Sequence, residues 1–151
     1  MTLSPDLVGR PLPTVTAPVE RGRVAFFART VGESDPVYSD VSAARAAGHP
    51  DVLVPPTFLF GLRFERADPF DWLRDAGVDL MRVLHGTQSF DYVREVHAGE
   101  EVTLTPTITA VYEKKGGALQ FLETTTTVAD ADGATVATFC ETLVIRAEAA
   151  A

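Results

Sequence analysis

Two hydrophobic rhythms divide the chain. From Glu20 to about residue 80 the apolar positions follow helical spacing, and from about residue 81 they recur at every second residue. The first twenty residues hold Pro5, Pro11, Pro13 and Pro18 and read as an extended lead-in rather than a helix. From Glu20, Val24, Phe27, Ala28 and Val31 make one apolar stripe, Arg21, Arg23 and Arg29 lie elsewhere, and Gly32 is placed to end the helix. "DVSAARAAGH" predicts a short second helix, with Asp40 or Ser42 as N-cap and Gly48 as the stop. After Pro55 and Pro56, Thr57 is placed to cap a helix from Phe58 to about Arg66. Its Phe58, Leu59, Leu62 and Phe64 spread apolar surface around much of the circumference, which predicts a helix enclosed by the rest of the protein. Gly61 in its middle costs about 1 kcal/mol against Ala, so close approach by a neighbour or ligand is its expected use.

In the second half, "RVLHGTQSFDYVRE", "EVTLTPTITAVYEKK", "ALQFLETTTTVAD" and "ATVATFCETLVIR" alternate as strands. In the second of these, alternation places Val102, Leu104, Ile108, Ala110 and Tyr112 on one face and Thr103, Thr105, Thr107 and Thr109 on the other. "KKGG" and "DADG" are turn chemistry, so the last three strands form two antiparallel hairpins. Pro106 within a strand predicts an edge or a bulge, and the closing "AEAAA" a frayed tail. Helices followed by a long antiparallel sheet, with one apolar helix to wrap, make an α+β class and the hot-dog arrangement, in a single domain over residues 1–151.

Composition narrows the function. With 46% hydrophobic and 23% charged residues, this is an ordinary globular composition. No run nears the roughly 18 apolar residues of a membrane span. The N-terminus lacks the basic-then-apolar layout of a signal peptide. One cysteine, Cys140, excludes an internal disulfide and suits a reducing cytoplasm. A formal charge of −8 without a basic run excludes nucleic-acid binding. An anionic partner such as coenzyme A or a carrier protein would need a local basic patch.

"LSPDLVG", "GESDPVYSD", "VPPTF" and "LHGTQSFDYVREVHAGE" resemble, in that order and over about residues 3 to 146, the MaoC-like dehydratases and hydratases of the hot-dog fold. The branch they are most similar to is the MaoC dehydratase N-terminal domain, including the A-subunit type of (3R)-hydroxyacyl-ACP dehydratase. The resemblance implies an acyl-CoA or acyl-ACP thioester substrate and no cofactor. It also implies a water held between the Asp and His of a G-D-x-N-P-x-H loop, with the thioester carbonyl polarised by backbone N–H groups at the start of the central helix. On this chain the loop is Gly32 to Tyr38, with Glu33 at the Asp position, Asp35 at the Asn position and Tyr38 at the His position. A tyrosine phenol ordinarily titrates near pH 10, so this exchange removes a base that works at neutral pH.

The candidate catalytic residues are therefore Glu33 and Tyr38, at positions that depart from the catalytic pattern. Asp35, Pro56, Thr57, Phe58, Gly61, His85 and Gly86 are candidates for substrate binding. Each has a plainer reading beside it. Glu33 reads as a raised-pKa base in an apolar tunnel or as a solvated loop carboxylate, Asp35 as a turn initiator before Pro36, and Tyr38 as a pocket wall or a packing residue. His49 and His97 are expected to face solvent, which leaves His85 as the best of the three as a substitute base, beside its plainer reading as a satisfied structural histidine. No His, Cys, Asp and Glu spacing suggests a metal. Cys140 either lines the pocket or is a small buried hydrophobe. Phe58, Phe60, Phe64, Phe70 and Trp72 either line an acyl tunnel or form the core. Three functions stay open: a substrate-tunnel subunit paired with a catalytic MaoC-like subunit, a homodimeric hydratase using Glu33 with a water or His85, and a non-catalytic acyl-thioester binding protein.

Overall fold

Alternation decides the second half of the molecule. In the computed structural model, which describes residues 3–147, β1 (Val15–Pro18), β2 (Val83–Tyr92), β3 (Glu101–Lys114), β4 (Leu119–Asp130) and β5 (Thr135–Arg146) form one antiparallel sheet in the order β1-β3-β4-β5-β2. Apart from Ala147, the "AEAAA" tail lies outside the described residues. The two predicted hairpins are β3–β4 and β4–β5, the first turning through left-handed Lys115, Gly116 and Gly117.

The prolines of the lead-in conceal β1. Val15 and Ala17 point inward and pair opposite Leu104 and Val102 of β3, so this stretch is an edge strand rather than only an extended lead-in. Pro106 consequently lies on an inner strand, not an edge. Its carbonyl accepts the Leu12 N–H at 2.9 Å, beyond the point where β1 has ended. In an antiparallel strand the N and O of one residue point the same way, so the donor that proline lacks faces the lead-in and the β3–β4 ladder is intact. The bulge falls instead at Thr109, where the register shifts between Ile108 and Ala110. Past it the faces exchange. Val111, opposite buried Leu122, joins the core, and Tyr112 stacks on Phe121 with ring centroids 4.9 Å apart. The expected grouping of Ala110 and Tyr112 with Val102 fails for this reason.

Four short α-helices lie between β1 and β2 in the chain. α1 (Arg21–Thr30) buries Val24 and Ala28, and Gly32 ends it at φ +78°. The Gly32 N–H bonds Arg29 O and the Glu33 N–H bonds Ala28 O, a Schellman closure that only a left-handed residue permits easily. Val31, expected on the apolar stripe, is exposed because it lies past the last helical turn. α2 (Val41–Ala46) is capped by Asp40, whose carboxylate accepts the Ala43 N–H at 2.8 Å. The central helix is α-helical only over α3 (Phe58–Gly61) and continues as 3-10 helix over Leu62–Glu65. Thr57 makes no capping hydrogen bond. α4 (Asp71–Asp75) is a single turn that buries Trp72 and Leu73.

The sheet's inner face carries two apolar clusters. One packs Phe58, Leu59 and Leu62 against Val102, Leu104, Val128 and Phe139; the other gathers Trp72 and Leu73 with Ile108, Leu122, Leu143 and Ile145. Each such side chain taken from water contributes about 1.5–3 kcal/mol. Buried polar residues Thr124, Thr126 and Glu141 lie on the same inner face.

Candidate functional site

The loop after α1 spends its acids on itself. Glu33 Oε1 accepts the Asp35 N–H at 2.9 Å, and Asp35 Oδ1 accepts the Val37 N–H at 3.0 Å, capping the 3-10 turn Pro36–Tyr38. Both carboxylates are exposed, whereas Tyr38 is half-buried. Burial, and after it the negative charges of Glu33, Asp35 and Glu95, push the Tyr38 phenol above its ordinary value of 10. At neutral pH it is a hydrogen-bond donor and not a base.

Tyr38 borders a hollow of about 190 Å³ with Leu53, Val54, Pro56, Tyr92, Arg94, Glu95 and Val96. Tyr92 closes one side by donating to Pro56 O at 2.5 Å, and burial pushes its phenol up to about 12. The Arg94 guanidinium does not stand free in this hollow, because it bridges Glu100 at 2.8 Å and Asp130 at 3.0 Å. The structure thus brings Tyr38 and Pro56 together, and the side chains of Glu33 and Asp35 do not line the space between them.

A second hollow of about 340 Å³ runs between α1 and α3, lined by Gly22, Arg23, Phe26, Phe27, Phe58, Gly61 and Leu62. A Cβ on Gly61 would meet no atom within 4 Å, so no neighbour of this chain approaches it closely and it faces open groove. Phe26 is 65% exposed beside it. At the start of α3 the Phe58 N–H is already bonded to Pro55 O at 3.0 Å.

His85 and Gly86 belong to the far end of β2. Along a strand rising about 3.3 Å per residue, His85 stands roughly 20 Å from Tyr92, so one chain does not bring it to the Tyr38 hollow. Its Nε2 lies 3.6 Å from Glu141 Oε1, and its ring centroid is 5.7 Å from that of Phe60. Glu141 is 3% exposed and is held by Arg63, whose guanidinium also stacks 5.1 Å from the Phe60 ring centre. Gly86 sits at a register shift, and a Cβ there would lie 2.9 Å from Thr142 O. The close approach of β5 is what requires glycine.

Two expectations fail outright. His49 and His97 are not solvent-facing: their side chains are 18% and 13% exposed, with ring centroids 5.3 Å apart. They meet because the loop after α2 is bridged through Leu53 to His97, a pairing no local pattern announces. Cys140 lines neither of the hollows described above and is not buried; it is exposed on the outer face, opposite Ser89. Arg63, Tyr92 and Glu141 escaped sequence reasoning, although a glutamate at an inward register of β5 was a usable signal. Among the described residues no helix is long and apolar enough to cross a membrane.

Against known proteins, residues 6–139 match the family model of the FAS1-like dehydratase domain region. A UPF0336 protein of Streptomyces coelicolor is 43% identical over 149 residues, covering 97% of each chain. Among solved structures, the HadBC (3R-hydroxyacyl-ACP dehydratase) complex of Mycobacterium tuberculosis superposes with a TM-score of 0.76 at 24% identity, covering 91% of this chain and 97% of that one. A MaoC-like dehydratase gives a TM-score of 0.79 at 24% identity, over 93% of this chain and 42% of that one. At such identities the structural likeness is one of fold, and that fold is the hot-dog.

Proposed function

The chain belongs to the FAS1-like dehydratase domain region family of MaoC-like hot-dog proteins, and from that premise we propose that it is the substrate-tunnel subunit of a two-subunit enoyl-thioester hydratase or (3R)-hydroxyacyl dehydratase. The carrying observation is the loop at residues 32–38. Its two carboxylates hold their own backbone, and the residue at the His position is a phenol kept protonated. A hydratase must deprotonate water as it adds to C3 of the enoyl group and deliver a proton to C2. The Tyr38 phenol does not supply that base at neutral pH, and the Glu33 side chain does not line the hollow. The partner in this reading is a MaoC-like subunit with an intact Asp–His loop, and the substrate is a thioester of CoA or acyl carrier protein.

Two features suit the tunnel role. The groove beside Gly61 is apolar and within the roughly 300–1,000 Å³ range of small-molecule sites. β2 is a ten-residue strand at one edge of the sheet, with Leu84 exposed on it and Val93 exposed just past its end, and so offers a long unpaired edge to a second sheet. The HadBC complex is itself an assembly of dehydratase chains of this fold. We place the pair in the cytoplasm, where the lone cysteine stays reduced.

Co-expression tests the pairing. A MaoC-like subunit with an intact loop should copurify with this chain, and its hydration of long-chain 2-enoyl-CoA should rise on pairing. If no such subunit copurifies or gains activity, while the chain still binds acyl thioesters, the protein is a binding protein and the proposal fails.

A further inference from the structure

The half-buried histidine pair lies outside the loop chemistry, and its geometry is that of a ligand set. His49 Nδ1 is 3.3 Å from His97 Nε2 and 3.3 Å from Glu95 Oε2, and His97 Nε2 is 3.9 Å from the same carboxylate oxygen. An ion with bonds of about 2.0–2.2 Å to N and O in a tetrahedral array sets its ligand atoms about 3.3–3.6 Å apart. Two edges of this triangle meet that spacing, and the third needs only a small swing of Glu95, the most exposed of the three. Among the described residues this is the one group of three ligating side chains that comes together.

The surroundings fix the ligands as a metal site requires. The His97 N–H is held by Glu100 Oε1 at 2.7 Å, and the same oxygen lies 3.5 Å from His97 Nδ1. A proton on Nδ1 therefore faces a carboxylate, which leaves the Nε2 lone pair turned toward His49 and Glu95. Glu100 is in turn anchored by Arg94. His49 is set by the Schellman closure of α2, its N–H bonded to Ala44 O at 3.0 Å. Leu53, bridged to His97, brings the two loops to one place.

We infer that His49, Glu95 and His97 bind one divalent transition-metal ion of the Zn²⁺ class at the rim of the Tyr38 hollow. Two imidazoles and one carboxylate suit zinc, which tolerates a tetrahedral site and leaves a fourth position for water. Glu95 also lines the hollow, so the ion clamps the segment after α2 to the segment after β2, and those two segments form its walls. The inference is independent of the pairing proposed above.

The test uses the full-length chain, freed of any purification tag and stripped with a chelator. Competition of Zn²⁺ against a chromophoric chelator should give one equivalent per chain, and Co²⁺ should give the visible bands of a tetrahedral N/O site. His49→Gln and His97→Gln should each weaken binding by at least the ~10–100-fold that loss of an outer-shell partner costs, and His85→Gln should change nothing. Zn²⁺ should raise the melting temperature of the unmodified chain and Mg²⁺ should not, a readout that does not depend on any variant folding. Absence of saturable Zn²⁺ binding, or binding weakened as much by His85→Gln, would mean that the histidines share only a proton, and would overturn the site.

Discussion

Replacing Glu141 by Met should be among the most damaging single changes in this protein. Glu141 is 3% exposed on the inner face of β5, and the Arg63 side chain that pairs with it is 15% exposed. Without the carboxylate, the guanidinium keeps its stacking on Phe60 and Phe64, at 5.1 and 5.4 Å, but no buried countercharge. His85, 3.6 Å from Glu141 and 47% exposed, is in no position to replace it. Breaking a buried pair from one side costs about 3–5 kcal/mol, against a total stability of about 5–15 kcal/mol. For a chain of this size each kcal/mol lowers the melting temperature by about 2–4 °C, so a fall of roughly 6–20 °C is expected. The double variant Arg63→Met/Glu141→Met removes both charges at similar volume and should return to within about 1 kcal/mol of the parent, or exceed it. Urea unfolding followed by the fluorescence of Trp72, the one tryptophan and a member of the second core cluster, reads both variants. An unchanged midpoint for the single variant, or a double variant as unstable as the single, would mean that the Arg63–Glu141 pair is not a buried pair whose charges depend on each other.

Three further outcomes follow from named contacts. Gly86→Ala drives a Cβ to 2.9 Å from Thr142 O and should lower stability by about 1–3 kcal/mol in urea titration; an unchanged midpoint contradicts the close β2–β5 approach. Asp51 is held at about 2, below its ordinary 3.8, first by the Arg21 side chain and then by the Val52 N–H. A lowered folded value contributes stability above about pH 4 that is lost as pH falls through about 2. Asp51→Asn should therefore flatten acid unfolding in that window, and a parallel pH curve would count against the pair. All three tyrosine phenols are raised: Tyr38 by burial, Tyr112 by its bond to Glu123, and Tyr92 by burial to about 12. Ultraviolet titration should show no phenolate forming below about pH 10, and Tyr92→Phe should remove the last step. An early step lost in Tyr38→Phe would restore Tyr38 as a base.

The strands were legible because alternation is local. Each of the four C-terminal segments reads true to within a few residues, and the turn glycines between them fix the hairpins. β1 was hidden because its inward residues Val15 and Ala17 stand among prolines and find their partners only in β3. The bulge at Thr109 carries no glycine or proline to mark it, so the exchange of Ala110 and Val111 between faces could not be read in advance. α4 is one turn long and has no periodicity to show. Of the candidate site, the loop at residues 32–38 was legible as chemistry because residue types alone say that a tyrosine is no base at neutral pH. The convergence of His49, Glu95 and His97, and of Arg63 with Glu141, depends on contacts between segments far apart in sequence. Single-residue patterns carry no trace of those.

The most direct measurement is hydration of crotonyl-CoA and a long-chain 2-enoyl-CoA by the purified chain, alone and paired with a MaoC-like subunit that has an intact Asp–His loop. No turnover is expected from the chain alone, and the pair should show turnover that vanishes when the partner's loop histidine is removed but survives Glu33→Gln. Turnover by the chain alone that is abolished by Glu33→Gln would contradict this, and would make the Gly32–Tyr38 loop a working active site.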